Sequence, residues 1–211
     1  MSNSPAGRAA NPALWDERFR PAELPYGEQP SLFLVEQLPR LGPPGRALLP
    51  GDGGGRNGVW LAGQGWQATS LDFSPVALAR ARELAGRQRV QLDTVQADVT
   101  TWSWPRGELD LVVAVYLHMP SSIRPAVHRA MLEAVKPGGY VLIEAFAEEQ
   151  LAYASGGPKD PDLLYREEAL RSDFGDAEIL VLRTERIELD DGPLHRGPGI
   201  LVRLLARRRT E

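Results

Sequence analysis

Short apolar segments and longer amphipathic segments alternate along most of this chain. Apolar segments of strand length occupy residues 47–50, 66–71, 90–97, 108–115 and 140–146. Apolar side chains recur at helical spacing in residues 30–41, in the segment that starts at Arg56, and in residues 75–85 and 121–135. A short helix is also predicted at residues 12–19. This alternation of strands and helices predicts a parallel sheet with helices on both faces.

The C-terminal part departs from that alternation. A helix is predicted within residues 163–173, and the strand-like segments 177–189 and 199–206 are joined by a turn at residues 190–193. The two strands are therefore expected to pair antiparallel at one edge of the sheet. The predicted fold is α/β, with a seven-stranded, mostly parallel sheet that ends in an antiparallel strand pair.

Composition predicts one domain boundary, and capping residues predict where two helices start. Residues 1–29 are predicted to be an N-terminal tail and lid segment, disordered over residues 1–11, and residues 30–211 a single domain. Ser74 before Pro75 is a standard helix start, and Ser121-Ser122 is predicted to cap the helix that follows.

A turn made almost wholly of glycine, residues 51–55, lies between the first sheet strand and a helix. Glycine lets the backbone adopt conformations closed to other residues, and the free N–H groups of a helix start face a bound ligand. The turn therefore predicts a nucleotide-like cofactor. Two overlapping patterns fit it: the dinucleotide fingerprint in Gly53-x-Gly55-x-x-Gly58, with Asp72 19 residues after Gly53, and the pattern Gly51-x-Gly53-x-Gly55 of class I adenosylmethionine-dependent methyltransferases.

Features other than the glycine spacing favour the second pattern. Asp98 follows the third predicted strand, where methyltransferases of this class commonly use an acid for the adenine amino group. Residues 135–139, VKPGG, resemble a late signature of the same class, predicted to be a turn before the fifth strand. Asp52 within the turn is tolerable beside adenosylmethionine, which has no pyrophosphate, and is poorly placed beside a dinucleotide.

Longer segments carry a more specific resemblance. They are residues 15–19, 26–27, 51–57, 71–74, 117–124 and 144–164. In these the chain resembles the small bacterial TehB-like methyltransferases, named for tellurite resistance. The resemblance implies a Rossmann-like class I methyltransferase that uses S-adenosyl-L-methionine and acts on a small acceptor such as a thiol or a metalloid oxyanion. One departure is Leu49-Pro50, where many class I enzymes carry an acid at the end of the first strand. The role that this acid plays near the cofactor's amino group is then expected to fall on Asp52. The Leu-Pro ending is similar to that of the thiopurine methyltransferase group.

The resemblance implies the residues of the cofactor site. Asp72 is expected to accept hydrogen bonds from two ribose hydroxyls, because a carboxylate offers two acceptor oxygens. Asp98 is expected at the adenine amino group, and Asn57 as a hydrogen-bonding partner within the turn. The complete set of expected cofactor-binding residues is Gly51, Asp52, Gly53, Gly55, Arg56, Asn57, Asp72, Phe73, Ser74, Asp98, Val99 and Val115.

The acceptor end is predicted from residues that follow the strands. His118 comes after the fourth strand, where ligands meet a parallel sheet, and is the candidate catalytic residue: an active-site contact or a base. The same position also suits a histidine packed or capped at a loop. Expected acceptor contacts are Tyr26, His118, Tyr153 and Lys159, with Asp160 and Asp162 in the same loop and Trp15 in the lid. His128 is expected at the surface and His195 near the pocket rim.

Composition excludes several other functions. The chain has no cysteine, so disulfides and thiolate chemistry are excluded, and no histidine and carboxylate cluster has metal-ligand spacing. A net charge of −4 gives no case for nucleic acid or an anionic membrane, and no apolar run spans a bilayer, so a cytoplasmic protein is expected. Two alternatives stay open: an NAD(P)-dependent oxidoreductase and a non-catalytic adenosylmethionine-binding protein.

Overall fold

Seven strands form one sheet in the computed structural model, which describes residues 12–21 and 23–210. The strands are β1 (Arg46–Pro50), β2 (Gln67–Asp72), β3 (Asp93–Gln96), β4 (Leu109–Val115), β5 (Val135–Phe146), β6 (Ala177–Asp190) and β7 (Arg196–Arg208). Their order is β3-β2-β1-β4-β5-β7-β6. The pairs among β1 to β5 are parallel, and β7 pairs antiparallel with both β5 and β6. The predicted sheet and its antiparallel C-terminal pair are confirmed.

Helices cover both faces of this sheet. The α-helices are α1 (Pro12–Phe19), α2 (Leu32–Gln37), α3 (Arg56–Gly63), α4 (Pro75–Gln88), α5 (Arg124–Ala134) and α6 (Glu167–Asp173). In the described part of the chain, three short 3-10 helices occupy Leu38–Arg40, Glu148–Ala152 and Pro161–Leu163. In β4, Val112 packs in one core with Met131 of α5, while Val113 packs in another with Phe33 of α2. Successive side chains of a buried strand thus point to opposite faces, each covered by a helix layer.

Some predicted boundaries are wrong for local reasons. Ser121-Ser122 do not cap α5, which begins at Arg124 after Ile123 and has no side-chain cap; the Ser121 hydroxyl instead donates to Asp162. Residues 135–139 are the start of β5 rather than a turn, with a register shift where β4 pairs with them. The third strand is shorter than predicted, because α4 extends to Gln88 and the Val90 N–H still bonds to the Ala85 carbonyl.

The expected surface position of His128 is also wrong. Its side chain is 1% exposed, and Nδ1 lies 2.8 Å from Oδ2 of Asp173 in α6. The ring packs against Tyr165 and Phe174. The predicted disorder of residues 1–11 lies outside the described residues. Within the described part of the chain, no helix is long and apolar enough to cross a membrane.

Candidate active site

The glycine turn lies at the carboxyl ends of β1 and β2 and leads into α3. Gly53 and Gly55 have φ angles of 56° and 81°, in the left-handed region that favours glycine. A Cβ at Gly53 would lie 2.6 Å from the Phe19 ring, and one at Gly55 would lie 2.6 Å from the Ala81 Cβ. The turn therefore needs glycine both for its backbone and for its close packing against α1 and α4.

Asp72 at the end of β2 holds this turn in place. Its Oδ2 accepts the Gly53 N–H at 2.9 Å, and its Oδ1 accepts the Ser74 N–H at 2.9 Å. The side chain is 6% exposed, and burial raises its pKa although these hydrogen bonds oppose the rise. Ser74 caps α4 as predicted, with its hydroxyl accepting the Ala77 N–H. Each Asp72 oxygen has a further lone pair, which suits a ligand hydroxyl.

A pocket brings the two predicted acids together beside the turn. It is lined by Gly51, Asp72, Phe73, Ala97, Asp98, Val99, Thr100, Leu117, His118, Met119, Pro120 and Ile123. Asp98 is exposed, and its Oδ1 accepts the N–H and the hydroxyl of Thr100 at 2.8 and 2.7 Å. Carboxylate oxygens together with apolar side chains in one pocket suit the polar ribose and flat base of a nucleoside.

Asp52 is placed differently from the pocket acids. Its Oδ2 accepts from the Ser70 hydroxyl and, at 3.2 Å, from the Gly58 N–H, so the carboxyl group is turned under the loop toward α3. Oδ1 is buried without a hydrogen-bond partner among the described residues. Burial raises the pKa of Asp52 to about 7. Its predicted contact with the cofactor's amino-acid tail stays a prediction.

Arg56 and Asn57 connect the start of α3 to the N-terminal segment. Arg56 is 6% exposed; its Nη1 lies 3.1 Å from Oδ1 of Asp191, in the β6–β7 hairpin, and donates to the Gln29 carbonyl. Asn57 Oδ1 accepts the Ser31 N–H at 2.8 Å. Both side chains thus fasten chain segments around the turn. Their predicted contacts with the cofactor stay predictions, as does that of Val115, which is 8% exposed in the core.

Aromatic side chains from four parts of the chain meet beyond the turn. This aromatic cluster comprises Trp15, Phe19, Tyr26, Tyr116, Phe146 and His195. The His195 ring lies 4.6 Å from that of Tyr26 and 4.5 Å from that of Tyr116. His118, which lines the pocket, stacks on Phe146 at 5.7 Å. The cluster is therefore continuous with the acceptor end of the pocket.

Tyr116 has a backbone conformation that is rare outside glycine. Its φ is 56°, immediately after β4, and such strain persists where the surroundings fix it, often at functional sites. The ring stacks on Phe146 at 4.9 Å, and the hydroxyl donates to Oδ2 of Asp191 at 2.9 Å. Sequence patterns did not single out Tyr116, because a positive φ at a tyrosine leaves no signature in the sequence.

His195 lies inside the aromatic cluster rather than at a solvent-facing rim. It is 4% exposed, and Nδ1 is buried without a partner among the described residues. Burial, with a smaller effect of the nearby Arg56 cation, lowers its pKa to about 3. The imidazole is therefore neutral at physiological pH.

His118 is also a neutral imidazole, and backbone atoms face both of its nitrogens. Nδ1 lies 2.8 Å from the Leu163 carbonyl oxygen, and the Phe146 N–H points to Nε2 at 3.5 Å. A carbonyl oxygen can only accept, so Nδ1 carries the proton. Burial lowers the pKa of His118 to about 4. This environment fits a fixed wall of the pocket better than a base that gains and loses a proton.

The loop after β5 (residues 147–165) borders the cluster through its glycines. A Cβ at Gly156 would lie 2.6 Å from the His195 ring, and one at Gly157 would lie 2.9 Å from Phe146. Lys159 is exposed and donates to the Tyr153 carbonyl at 2.8 Å, within the same loop. The acceptor contacts predicted for Tyr153 and Lys159 remain predictions. Among the described residues, no group of three potential metal ligands is present.

Comparison with known families decides between the two glycine patterns. Residues 48–139 match the family described as a methyltransferase domain. Over these residues the chain is similar to that methyltransferase domain. The match spans the glycine turn, Asp72 and Asp98, and it confirms the predicted resemblance and, with it, S-adenosyl-L-methionine as the cofactor of this domain class. The dinucleotide pattern is thereby disfavoured.

Relatives and solved structures agree with the methyltransferase domain. Thiocyanate methyltransferase 1 of Arabidopsis thaliana is 32% identical over 132 residues, which are 61% of this chain and 57% of that protein. The chain thus spans little more than half the length of that relative. TehB of Haemophilus influenzae superposes with a TM-score of 0.67 at 22% identity, over 84% of this chain and 61% of that one. A structure from work on the conversion of a disulfide bond into a thioacetal group during echinomycin biosynthesis superposes with a TM-score of 0.74 at 21% sequence identity. The superposition covers 94% of this chain and 91% of that one. These structural likenesses confirm the Rossmann-like fold.

Proposed function

We propose that the protein transfers the methyl group of S-adenosylmethionine to a small anionic or thiol acceptor. The pocket with Asp72 and Asp98 would hold the nucleoside, and the glycine turn would lie against the amino-acid tail. The methyl group would then point toward His118 and the aromatic cluster. The sulfonium is an intrinsically good methyl donor, so the protein contributes mainly alignment of nucleophile, methyl carbon and sulfur.

The charge balance of the aromatic cluster carries the proposal. Two acids that act on Tyr116 of this cluster are neutralised: Asp191 pairs with Arg56, and the buried Glu144 pairs with Arg203 at 2.7 Å. Arg18 lies 4.7 Å over the Trp15 ring and donates to the Tyr26 hydroxyl, with no carboxylate within 4.0 Å among the described residues. An uncompensated cation at this end favours an anionic acceptor over an amine.

The protonation states support the same acceptor class. In the proposed step, a lone pair of the acceptor attacks the methyl carbon, the carbon–sulfur bond breaks, and its electrons remain on sulfur as the neutral thioether of adenosylhomocysteine. A monoanionic acceptor such as thiocyanate or a thiolate becomes neutral on methylation and has no proton to lose. The low pKa of His118, about 4, is then no obstacle, because such an acceptor requires no protein base.

The relatives are consistent with this proposal, since one is a thiocyanate methyltransferase. Residues 1–29 are proposed to act as a lid, because Phe19 lies against Gly53 and Asp16 accepts the Ser74 hydroxyl at 2.5 Å. These contacts of α1 with the glycine turn and with the Ser74 cap support the lid proposal.

Transfer of an isotope-labelled methyl group tests the proposal. The protein is incubated with labelled adenosylmethionine and, in separate reactions, thiocyanate, a small thiol, tellurite and a small amine. Adenosylhomocysteine and labelled product are quantified by mass spectrometry. We expect acceptor-dependent turnover with at least one sulfur or metalloid acceptor. Cofactor binding without turnover on any of them would instead support a non-catalytic binding protein.

A further inference from the structure

We propose that Arg124 is a positioning residue, which clamps the end of the loop after β5 and thereby fixes His118 and Leu117 at the acceptor end of the pocket. The inference rests on the proposed function, which places that end of the pocket beside the reacting methyl group. Arg124 does not line the pocket, so its effect is exerted through the loop.

The Arg124 side chain is built into this loop. It stands at the first position of α5 and is 5% exposed. Nη1 donates to the Leu164 carbonyl at 2.8 Å, and Nη2 donates to the Asp162 carbonyl at 2.9 Å. The guanidinium also lies 4.2 Å from the centre of the Tyr165 ring. One side chain therefore holds three of four consecutive loop residues.

The residue that Arg124 does not touch is the one that holds His118. Leu163 lies between the two clamped carbonyls, and its own carbonyl oxygen lies 2.8 Å from His118 Nδ1. The neighbouring Tyr165 hydroxyl donates to the Leu117 carbonyl at 2.9 Å. The hydrogen bonds from this loop to both pocket residues thus come from the segment that Arg124 fixes.

A buried arginine is a costly means of holding a loop. Desolvating a cation is expensive unless the surroundings replace its water, and no carboxylate lies within 4.0 Å of Arg124 among the described residues. Two carbonyls and an aromatic face replace that water here. Lysine carries a comparable charge but cannot reproduce the planar, two-pronged contact. The arrangement therefore depends on the guanidinium shape.

Several charged or titratable groups surround His118. Arg124 of α5 lowers its pKa, in addition to the larger effect of burial, while the hydrogen bond with the Leu163 carbonyl opposes both. From the loop after β5, the Tyr165 ring contacts the His118 imidazole edge to face, with 5.7 Å between the ring centres. From the β6–β7 hairpin, the neutral His195 faces His118. Removing the Arg124 cation should raise the His118 pKa toward its ordinary value near 6.5, and water entering beside the imidazole should raise it further.

Three variants test the clamp: Arg124→Met, Arg124→Lys and, as a matched control, Arg129→Met, which removes an exposed arginine from the same helix. The imidazole resonances are read by nitrogen and carbon NMR, which is practical because the chain has three histidines. Wild type and Arg129→Met should show His118 as a single Nδ1–H tautomer that does not titrate above pH 5. Arg124→Met should show mixed tautomers and a higher His118 pKa, and Arg124→Lys should lie between.

Kinetics then separate positioning from general damage. With the best acceptor, kcat/KM of Arg124→Met should fall by on the order of 10- to 100-fold, because small misplacements at a reacting centre are costly. Its affinity for adenosylhomocysteine should stay within about twofold of wild type. An unchanged His118 tautomer and pKa in Arg124→Met would overturn the proposal. If Arg124→Met does not fold, Arg124→Lys decides by the same NMR readout. That readout needs no turnover, so it also distinguishes failure of the clamp from failure of the proposed function.

Discussion

Asp72 offers the sharpest single perturbation of the cofactor site. Asp72→Asn keeps the size of the side chain but removes its charge and replaces one acceptor oxygen by an N–H₂ group. In the wild type, the two oxygens accept the N–H groups of Gly53 and Ser74, each at 2.9 Å. The amide can satisfy only one of these donors and directs its own N–H₂ toward the other.

Two effects can be sized from this geometry. One buried N–H loses its acceptor, which costs about 1–3 kcal/mol of folding stability. The ribose loses at least one hydrogen bond to a charged group, worth about 1.5–3 kcal/mol. At 1.4 kcal/mol per factor of ten, cofactor affinity should fall by roughly 10- to 150-fold.

Calorimetric titration with adenosylhomocysteine measures the affinity, and urea unfolding measures the stability. Asp93→Asn is the matched control, since Asp93 is exposed at the start of the neighbouring strand β3; it should bind like the wild type. If Asp72→Asn bound the cofactor product as tightly as the control, the assignment of Asp72 to the ribose would be wrong.

Other substitutions test the surroundings of the turn. Burial raises the pKa of Asp52 to about 7, so the folded state favours its protonated form. As the pH rises from about 5 to about 8, urea unfolding should show the wild type losing about 3 kcal/mol of folding stability relative to Asp52→Asn. Equal pH dependence of the two proteins would refute this. Gly55→Ala should cost more than about 1 kcal/mol at a φ of 81°, whereas Gly63→Ala, with no atom nearer than 3.9 Å to the new Cβ, should be neutral or stabilising in the same assay. Arg56→Met should lower folding stability by roughly 3 kcal/mol, because it leaves Asp191 without its cation. Amide hydrogen exchange in the β6–β7 hairpin should then become faster. Unchanged exchange would contradict the role of this ion pair.

Local patterns predicted the frame of the site because each of its parts is contiguous in sequence. The glycine turn joins β1 to α3, and Asp72 ends β2 directly before the Ser74 cap. In a parallel sheet these strand ends meet at one edge. Alternating apolar segments fix the strands, so the position of both acids beside the turn follows from the sequence alone.

Contacts between distant segments were not predictable in the same way. His195 meets Tyr26 and Tyr116 because the β6–β7 hairpin folds back over the N-terminal segment, and no periodicity encodes that approach. His128 was expected at the surface, but α6 covers it and supplies Asp173. Ser121 resembled a helix cap and instead bonds to Asp162 of the loop after β5. In each case tertiary packing overrides the local signal.

Acceptor preference tests the central proposal most directly. At saturating adenosylmethionine, kcat/KM is measured for thiocyanate, a small thiol and a small amine of similar size, with adenosylhomocysteine as the common product. The charge balance around Arg18 and the fixed neutral His118 predict a higher value for the anionic acceptor than for the amine by at least about tenfold, or 1.4 kcal/mol. Equal or greater activity on the amine would contradict the account.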